Sequence, residues 1–264
     1  MGSATREALA RSVSALADQG SQADLATADD LFAAGRVLAD SAQLRAVVSD
    51  PSADPAGKAA LIRRVFASLS ASAVELLGVV AAQRWSRSSD LLAGIEELGI
   101  RSIAQSAPAD VDIAAELFAF GGAVTSDAQL ELALRSKLAD PSTKGALVER
   151  LLGGKASAQT IAIVRQLVLQ PRGRSIRQAL REAARVVASQ SGQTVATVLA
   201  AKPLPEAQLE RLRTALSASY GARIRINQVV DPALLGGLRV QIGDDVIDGS
   251  IAARITDLRL QLVG

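Results

Sequence analysis

Two residue types are missing outright from this 264-residue chain: it has no cysteine and no histidine. Without cysteine there is no disulfide and no thiolate nucleophile. Without either residue, the usual zinc, haem and Ser-His-Asp constellations are closed. The missing cysteine also fits a reducing compartment. Aromatics are scarce, 2% of residues with a single Trp and a single Tyr, which leaves no stacking platform for single-stranded nucleic acid. Charge of one sign is missing too: 29 Lys and Arg stand against 27 Asp and Glu. The two signs intersperse, so the basic stripe of a nucleic-acid binder is not there. The pI of 9.3 reflects how few groups titrate between the carboxylates and the lysines. Long apolar runs are also lacking. The most apolar stretch, Leu76 to Ala82, falls far short of the roughly 18 residues that cross a bilayer. Arg6, Glu7, Arg11 and Asp18 sit in a helical pattern with no apolar leader core, so no signal peptide and no direct membrane insertion are expected.

What is present is alanine, leucine, valine and isoleucine, within an apolar fraction of 49%. Alanine is the best helix former and lets helices approach closely, so a mainly α fold is expected. A repeat runs through the first two-thirds. At an offset of 86, Leu31-Phe32-Ala33 meets Leu117-Phe118-Ala119, Gly35 meets Gly121, and Ala42-Gln43-Leu44 meets Ala128-Gln129-Leu130. Lys58, Leu61 and Arg64 meet Lys144, Leu147 and Arg150 in the same register. Asp50-Pro51-Ser52 aligns with Asp140-Pro141-Ser142 across a short shifted gap, and Ala71-Ser72-Ala73 with Ala156-Ser157-Ala158 at offset 85. The repeat predicts two tandem helical bundles, 1–106 and 111–190, with Ala107-Pro108-Ala109-Asp110 as linker. Proline at each Asp-Pro-Ser turn separates one helix from the next. Ser189 to Gln193 marks the boundary before a different kind of segment, 194–264.

That last segment carries the densest local specification. Val195 to Ala201, Pro203-Leu204 and the helical segment Glu206 to Tyr220 lead into it. Arg223 to Val230 alternates with period two, as a half-buried strand does. Asp231-Pro232 stops it, and Gly236-Gly237 permits a bulge or positive φ. Leu238 to Ile242 is a further strand, Gly243-Asp244 a hairpin loop, and Val246-Ile247 the returning partner. Asp248-Gly249-Ser250 ends the sheet, with Ser250 as N-cap of a closing helix on which Ile251, Ile255, Leu258 and Leu262 recur at helical spacing.

Several chemistries compete for these residues. Asp244, Asp245 and Asp248 could be read as a divalent-cation loop, but they match no such spacing, and turn chemistry explains aspartate there. Gly236-Gly237 lacks the Gly-Lys-Ser/Thr of a phosphate loop, so a strand bulge is the expectation. Arg172, Arg174, Arg177, Arg181 and Arg185, with Glu182 among them, read as a solvated helix face. Lys58 and Lys144 read as solvent-facing turn residues. No nucleophile–base pair, paired-carboxylate site or metal cluster emerges, so no catalytic residue, cofactor or metal is expected.

Asp231, Pro232, Gly236, Gly237, Gly243, Asp248, Gly249 and Ser250, with Leu234 to Leu238 and Val246-Ile247 between them, resemble the C-terminal signature of the delta subunit of F-type ATP synthases, the oligomycin-sensitivity-conferring protein family. The resemblance covers about the last seventy residues well and the rest more loosely. It implies a small α/β C-terminal domain of β-α-β-β-β-α type after the two bundles, the second bundle being a departure from the single bundle usual in the family. It also implies a non-catalytic stator subunit of the peripheral stalk, which couples proton-driven rotation to ATP synthesis. Implied partners are the N-terminal helices of the alpha subunits, gripped by a helical bundle, and the far end of the b subunit, met by the C-terminal domain. The implied location is peripheral, on the cytoplasmic face of the bacterial membrane. The second bundle, Val111 to Ser189, is expected to be an accessory copy. From the residues alone, a helical adaptor binding amphipathic helices outside the synthase stays open beside this reading.

Overall fold

The computed structural model describes residues 2–135, 140–234, 236–243 and 245–249. Contacts group the chain into two compact units, Met1–Val187 and Ala188–Gly264. The first is helical: α1 Ser3–Gln19, α2 Leu25–Asp40, α3 Ala42–Ser49, α4 Pro55–Val65, α5 Ala71–Ala82, α6 Ser88–Gln105, α7 Ile113–Ser126, α8 Ala128–Arg135, α9 Pro141–Leu152, α10 Ala158–Leu169 and α11 Ile176–Gln190. The succession α2 to α6 is followed by five helices, α7 to α11, at similar spacing.

Short polar side chains start these helices by accepting from otherwise unpaired amides of the first turn. Asp24 accepts from Thr27, Ser41 from Leu44, Asp54 from Gly57 and Ser70 from Ala73. In the second half Asp112 accepts from Ala115, Asp127 from Leu130, Asp140 from Ser142 and Ser157 from Thr160. The caps correct the sequence register twice. Proline opens α4 at Pro55 and α9 at Pro141, so the ungapped 86-residue offset (55 to 141) joins Asp54-Pro55 to Asp140-Pro141. Asp50-Pro51-Ser52 is a separate turn, in which Asp50 accepts from Ser52 N at 2.8 Å and Ser52 Oγ at 2.6 Å. Likewise the caps of α5 and α10 are Ser70 and Ser157, so Ser157 answers to Ser70 at an offset of 87 (70 to 157) and not to Ser72 of the offset-85 match. Small-residue runs align in several registers, whereas a cap fits only one.

A second device recurs with the caps. Asp30 on α2 accepts from Ser70 N at 2.8 Å. Glu116, 86 positions later (30 to 116) on α7, accepts from Ser157 N at 3.0 Å and Ser157 Oγ at 2.6 Å. Each repeat thus ties its opening helix to the start of its fourth by an acid on a serine.

Two apolar cores fill this unit, and α6 feeds both. Leu91, Ile95 and Leu98 pack with α1, α2 and α5 residues such as Leu16, Leu38 and Leu77. Ile100 and Ile103 pack with Phe32, Leu117, Ile163 and Leu167. Two glycines let large rings lie against this helix: a methyl at Gly94 would overlap the Trp85 ring, and one at Gly99 the Phe32 ring. Glycine costs about 1 kcal/mol of helix propensity relative to alanine. Full burial of a ring contributes about 2–3 kcal/mol, so glycine wins at both places. The helix is last of the first repeat and, preceding α7 as α1 precedes α2, also first of the second. Gln19 and Gln105, 86 apart (19 to 105), are the final residues of α1 and α6.

The second unit holds β1 Gln193–Ala200, α12 Glu206–Tyr220, β2 Arg223–Val230, β3 Leu238–Ile242 and β4 Asp245–Asp248. Strand order is β2-β1-β3-β4. β1 and β2 run parallel, joined through α12, and β3 lies antiparallel to both β1 and β4. Ala196, Val198, Leu216, Ile224, Val240 and Ile242 form its core. The alternation predicted for β2 fades along the strand: Ile224 is buried, but Val229 and Val230 are exposed, because β2 is an edge strand. Gly221 closes α12 in the left-handed region, as glycine does most readily. Ser250 and the predicted closing helix lie outside the described residues, as does Asp244.

Candidate functional site

The C-terminal signature residues serve the turns of the sheet. Asp231 N donates to Ala200 O at 2.9 Å, and Asp231 Oδ1 accepts from Ala233 N at 3.0 Å, which folds the chain back after β2 across Pro232. Gly236 and Gly237 have φ of 116° and 83°. They stand in the loop before β3, not in a bulge within a strand, and a strand rather than a helix follows them. Gly243, with φ 57°, turns the β3–β4 hairpin, where Ile242 faces Asp245 and Arg239 faces Asp248. Gly249 N donates to Leu238 O at 2.8 Å. Asp245 and Asp248 are exposed. Among the described residues no three acidic groups gather as a metal site would require.

Two sequence expectations fail in the helical unit. Lys58 is buried, at 5% exposure, because its Nζ reaches back to Asp50 O at 3.2 Å and satisfies a carbonyl just past α3. Burial lowers its pKa, and Asp50 opposes the shift. Lys144 is half-buried. Arg172 and Arg174 are not on a helix at all. They lie in the α10–α11 loop, Arg172 with φ 50° and Gly173 with φ 78°, and both clamp Glu96. Arg172 Nη2 donates to Glu96 Oε1 at 2.7 Å, and Arg174 Nη2 to Glu96 Oε1 and Oε2 at 2.8 and 2.9 Å. Arg174 Nη1 also donates to Glu182 at 2.7 Å. Burial works against the Arg174 charge, yet Glu96 and Glu182 outweigh it and hold the pKa above its ordinary value. The Glu96 side chain is 5% exposed, so this is a desolvated, hydrogen-bonded clamp from the loop onto α6. Arg177, by contrast, is half exposed beside Glu131. A glutamate inside the apolar run of α6 was the available signal for the clamp.

The repeat then separates a covered face from an open one. In the second half, α2 lies on α6 and α10. Phe32 sits over Gly99, Gln170 Nε2 donates to Gly35 O at 3.2 Å, and Arg165 Nη2 donates to Asp29 Oδ1 at 3.0 Å. The first-half counterparts of α6 and α10 are α1 and α5. Their crevice, about 250 Å³, is lined by Ser3, Ala4, Glu7, Ala8, Arg11, Gln83 and Arg84. Gln83 follows α5 as Gln170 follows α10. Glu7 and Arg11 on its wall pair at 2.6 Å and are 67% and 63% exposed. The wall itself is well held: Thr5 Oγ1 donates to Asp90 Oδ2 at 2.8 Å and accepts from Ser86 N at 3.1 Å. At the other end of α1, Gln19 Nε2 donates to Ser72 O at 3.2 Å. Such a crevice can take side chains of a docking helix at one end of α1 and has no chemistry to transform them. In the second unit the exposed apolar residues stand on the sheet edges, Val229 and Val230 on β2 and Val246 and Ile247 on β4.

Comparison with known proteins finds one family, described as ATP synthase delta (OSCP) subunit, whose pattern matches residues 100–262. The match therefore begins within α6 and takes in α7 to α11 and the C-terminal unit, leaving α1 to α5 outside. The chain is 74% identical over 264 residues to the ATP synthase subunit delta of Leifsonia xyli subsp. xyli, covering all of both chains. It is 40% identical to that of Streptomyces avermitilis, covering 98% of this chain and 97% of the relative. The additional helices are thus shared with these relatives. A chain of the Toxoplasma gondii mitochondrial ATP synthase hexamer aligns with a TM-score of 0.40 at 17% identity, over 64% of this chain and 95% of that one.

Proposed function

This chain belongs to the ATP synthase delta (OSCP) subunit family, a component of the peripheral stalk, and from that premise we propose how it does its work as a stator. The first bundle, 1–106, docks on the catalytic head by taking N-terminal helices of the alpha subunits into the α1/α5 crevice. The C-terminal domain, 194–264, meets the b subunit through the exposed edges of its sheet. The second bundle, 111–190, is an accessory copy that thickens the stator. The subunit transforms no substrate and binds no cofactor; it holds the head against the torque of the turning rotor. It sits peripherally on the cytoplasmic face of the membrane, and no helix among the described residues is long and apolar enough to cross one.

The observation that carries the docking assignment is the asymmetry of the repeat. The α6/α10 face already holds a helix, α2, whereas its counterpart on α1 and α5 is open to solvent. That covered face is an internal example of what the open one accepts, an amphipathic helix with small residues at the contact. A stator also needs stiffness. Sharing α6 between two cores and clamping it at Glu96 removes the hinge that a linker of independent bundles would leave.

Titration of the full chain with a peptide of the alpha N-terminus and one of the b C-terminus tests the reading. Ala4→Trp, which fills the crevice, is expected to weaken the alpha peptide at least tenfold and leave the b peptide unchanged. Absence of binding to either peptide removes the stator reading and leaves a helical adaptor outside the synthase. Binding of the alpha peptide that Ala4→Trp does not weaken moves the docking site to another face.

A further inference from the structure

A second recess lies where the two halves of the helical unit meet. It encloses about 400 Å³ between α2, α9 and α10, and its lining includes Asp29, Phe32, Arg36, Ser142, Arg165 and Gln166. Two guanidinium groups turn into it. Arg165 has carboxylate partners, Asp29 at 3.0 Å and Glu149 at 3.6 Å. Arg36 is half-buried, and the partner of its Nη1 is the neutral Gln166 Oε1 at 2.5 Å. Buried cations are ordinarily paired with an anion, because desolvating an unpaired charge is costly. Burial first, and then Arg165, hold the Arg36 pKa below its ordinary value against the pull of Asp29 and Asp40. The opposite wall, Pro141, Ser142 and Gly145, belongs to the start of α9, whose end is already capped by the Asp140 carboxylate. Phe32, Ala162 and Leu169 add an apolar floor.

The duplication supplies an internal control. Phe32 and Gly35 keep their residue type 86 positions on, at Phe118 and Gly121. Arg36 does not: its counterpart (36 to 122) is Gly122. Arg165, in the register of the Ser70 and Ser157 caps (87 positions, 78 to 165), stands against Gly78. The bundle fold therefore does not require these two cations. They are particular to the recess.

We propose that this recess is a carboxylate-binding site that receives an acidic side chain of a partner polypeptide. Arg36 supplies the planar fork that matches a carboxylate, Arg165 adds a second positive charge beside it, and the apolar floor holds the adjoining methylene groups. The site is independent of the α1/α5 crevice, so the two assignments stand or fall separately.

The test follows the arginine Nε–Hε signals of the full chain by NMR while glutarate is added at constant ionic strength. The Arg36 and Arg165 signals are expected to move together and saturate. Arg36→Gln should weaken glutarate at least tenfold, and Arg213→Gln on the exposed face of α12 should leave it within twofold. Gln166→Glu places a carboxylate against Arg36 from within the chain, so it should abolish the titration. If Arg36→Gln does not fold, Gln166→Glu decides alone. Signals that stay still with glutarate overturn the proposal. So does unchanged binding in Gln166→Glu, or inorganic phosphate acting at a tenfold lower concentration than glutarate.

Discussion

The two halves of the helical unit follow one plan and are used differently. The first opens with α1, whose outer side is free, and the second opens with α6, which is already the last helix of the first. Both halves cap their helices with Asp or Ser within two positions of one offset, and both tie an acid to a serine. They diverge where one half touches the other. Helix caps recur in both halves, whereas the joint seats Phe32 on Gly99, whose counterpart 86 positions on (99 to 185) is Arg185, and closes Arg172 and Arg174 on Glu96. The difference teaches that the repeat unit is stable for local reasons, while the stiffness of the pair rests on a few buried contacts at the joint.

The strongest way to break that comparison is to open the clamp. Glu96→Gln leaves the partly buried Arg172 and Arg174 without their shared carboxylate, and removing one partner of a fully buried pair costs about 3–5 kcal/mol, which is the upper bound here. Thermal unfolding should show a large drop. The loss should be clearly smaller for Glu182→Gln, since the Glu182 side chain is 35% exposed. Equal losses would mean that the clamp is no more than a surface network.

Next in size is the joint packing. Gly99→Ala forces a methyl into the Phe32 ring, and overpacking a filled core costs about 1–3 kcal/mol. Gly122→Ala, on the outside of α7 where nothing lies within 4 Å, should instead stabilise by about 0.5–1 kcal/mol. Opposite signs for two helical glycines, read from denaturant unfolding, would sharpen the contrast between the joint and the free face. The same sign for both would erase it.

The smallest effects concern the shared acid–serine device. Ser157→Ala and Ser70→Ala should each lose about 1 kcal/mol through the cap. Ser157 should lose more, because Glu116 holds both its amide and its hydroxyl. Burial pushes the Glu116 pKa up, but the hydrogen bonds from Ser157 and Thr160 outweigh it, so the carboxyl sits below its ordinary value of 4.5. A carboxyl with a lowered folded pKa stabilises fully above its unfolded value and loses that contribution as pH falls through the folded one. Stability should therefore begin to decline below about pH 4.5, and Glu116→Gln should make that part of the pH profile shallower. An unchanged profile would remove Glu116 from the account.

Much of this was legible in the chain itself. The strands Arg223–Val230 and Leu238–Ile242 coincide with the reading from alternation, and the helix Glu206–Tyr220 with the family resemblance. The glycines at 236, 237 and 243 adopt the positive φ that their turns demanded. The duplication was also visible, although its register had to be corrected at Pro55 and Ser70. Lys58, Arg172 and Arg174 were misread as solvated, because a charged residue near a turn gives no local sign of a carbonyl or carboxylate brought to it by a distant helix.

What the sequence by itself determined is the set of local commitments: where helices start and stop, which turns need glycine, and which family the C-terminal segment resembles. Each is fixed by interactions within a few residues, such as a cap, a proline or a φ angle. What only the tertiary structure decided is which of two cores each apolar residue of α6 enters, which face of the repeat is covered, and which charge meets Glu96. Periodicity marks a residue as apolar but carries no record of its partner. A helix apolar on several sides reads as generic core until two bundles are seen to share it.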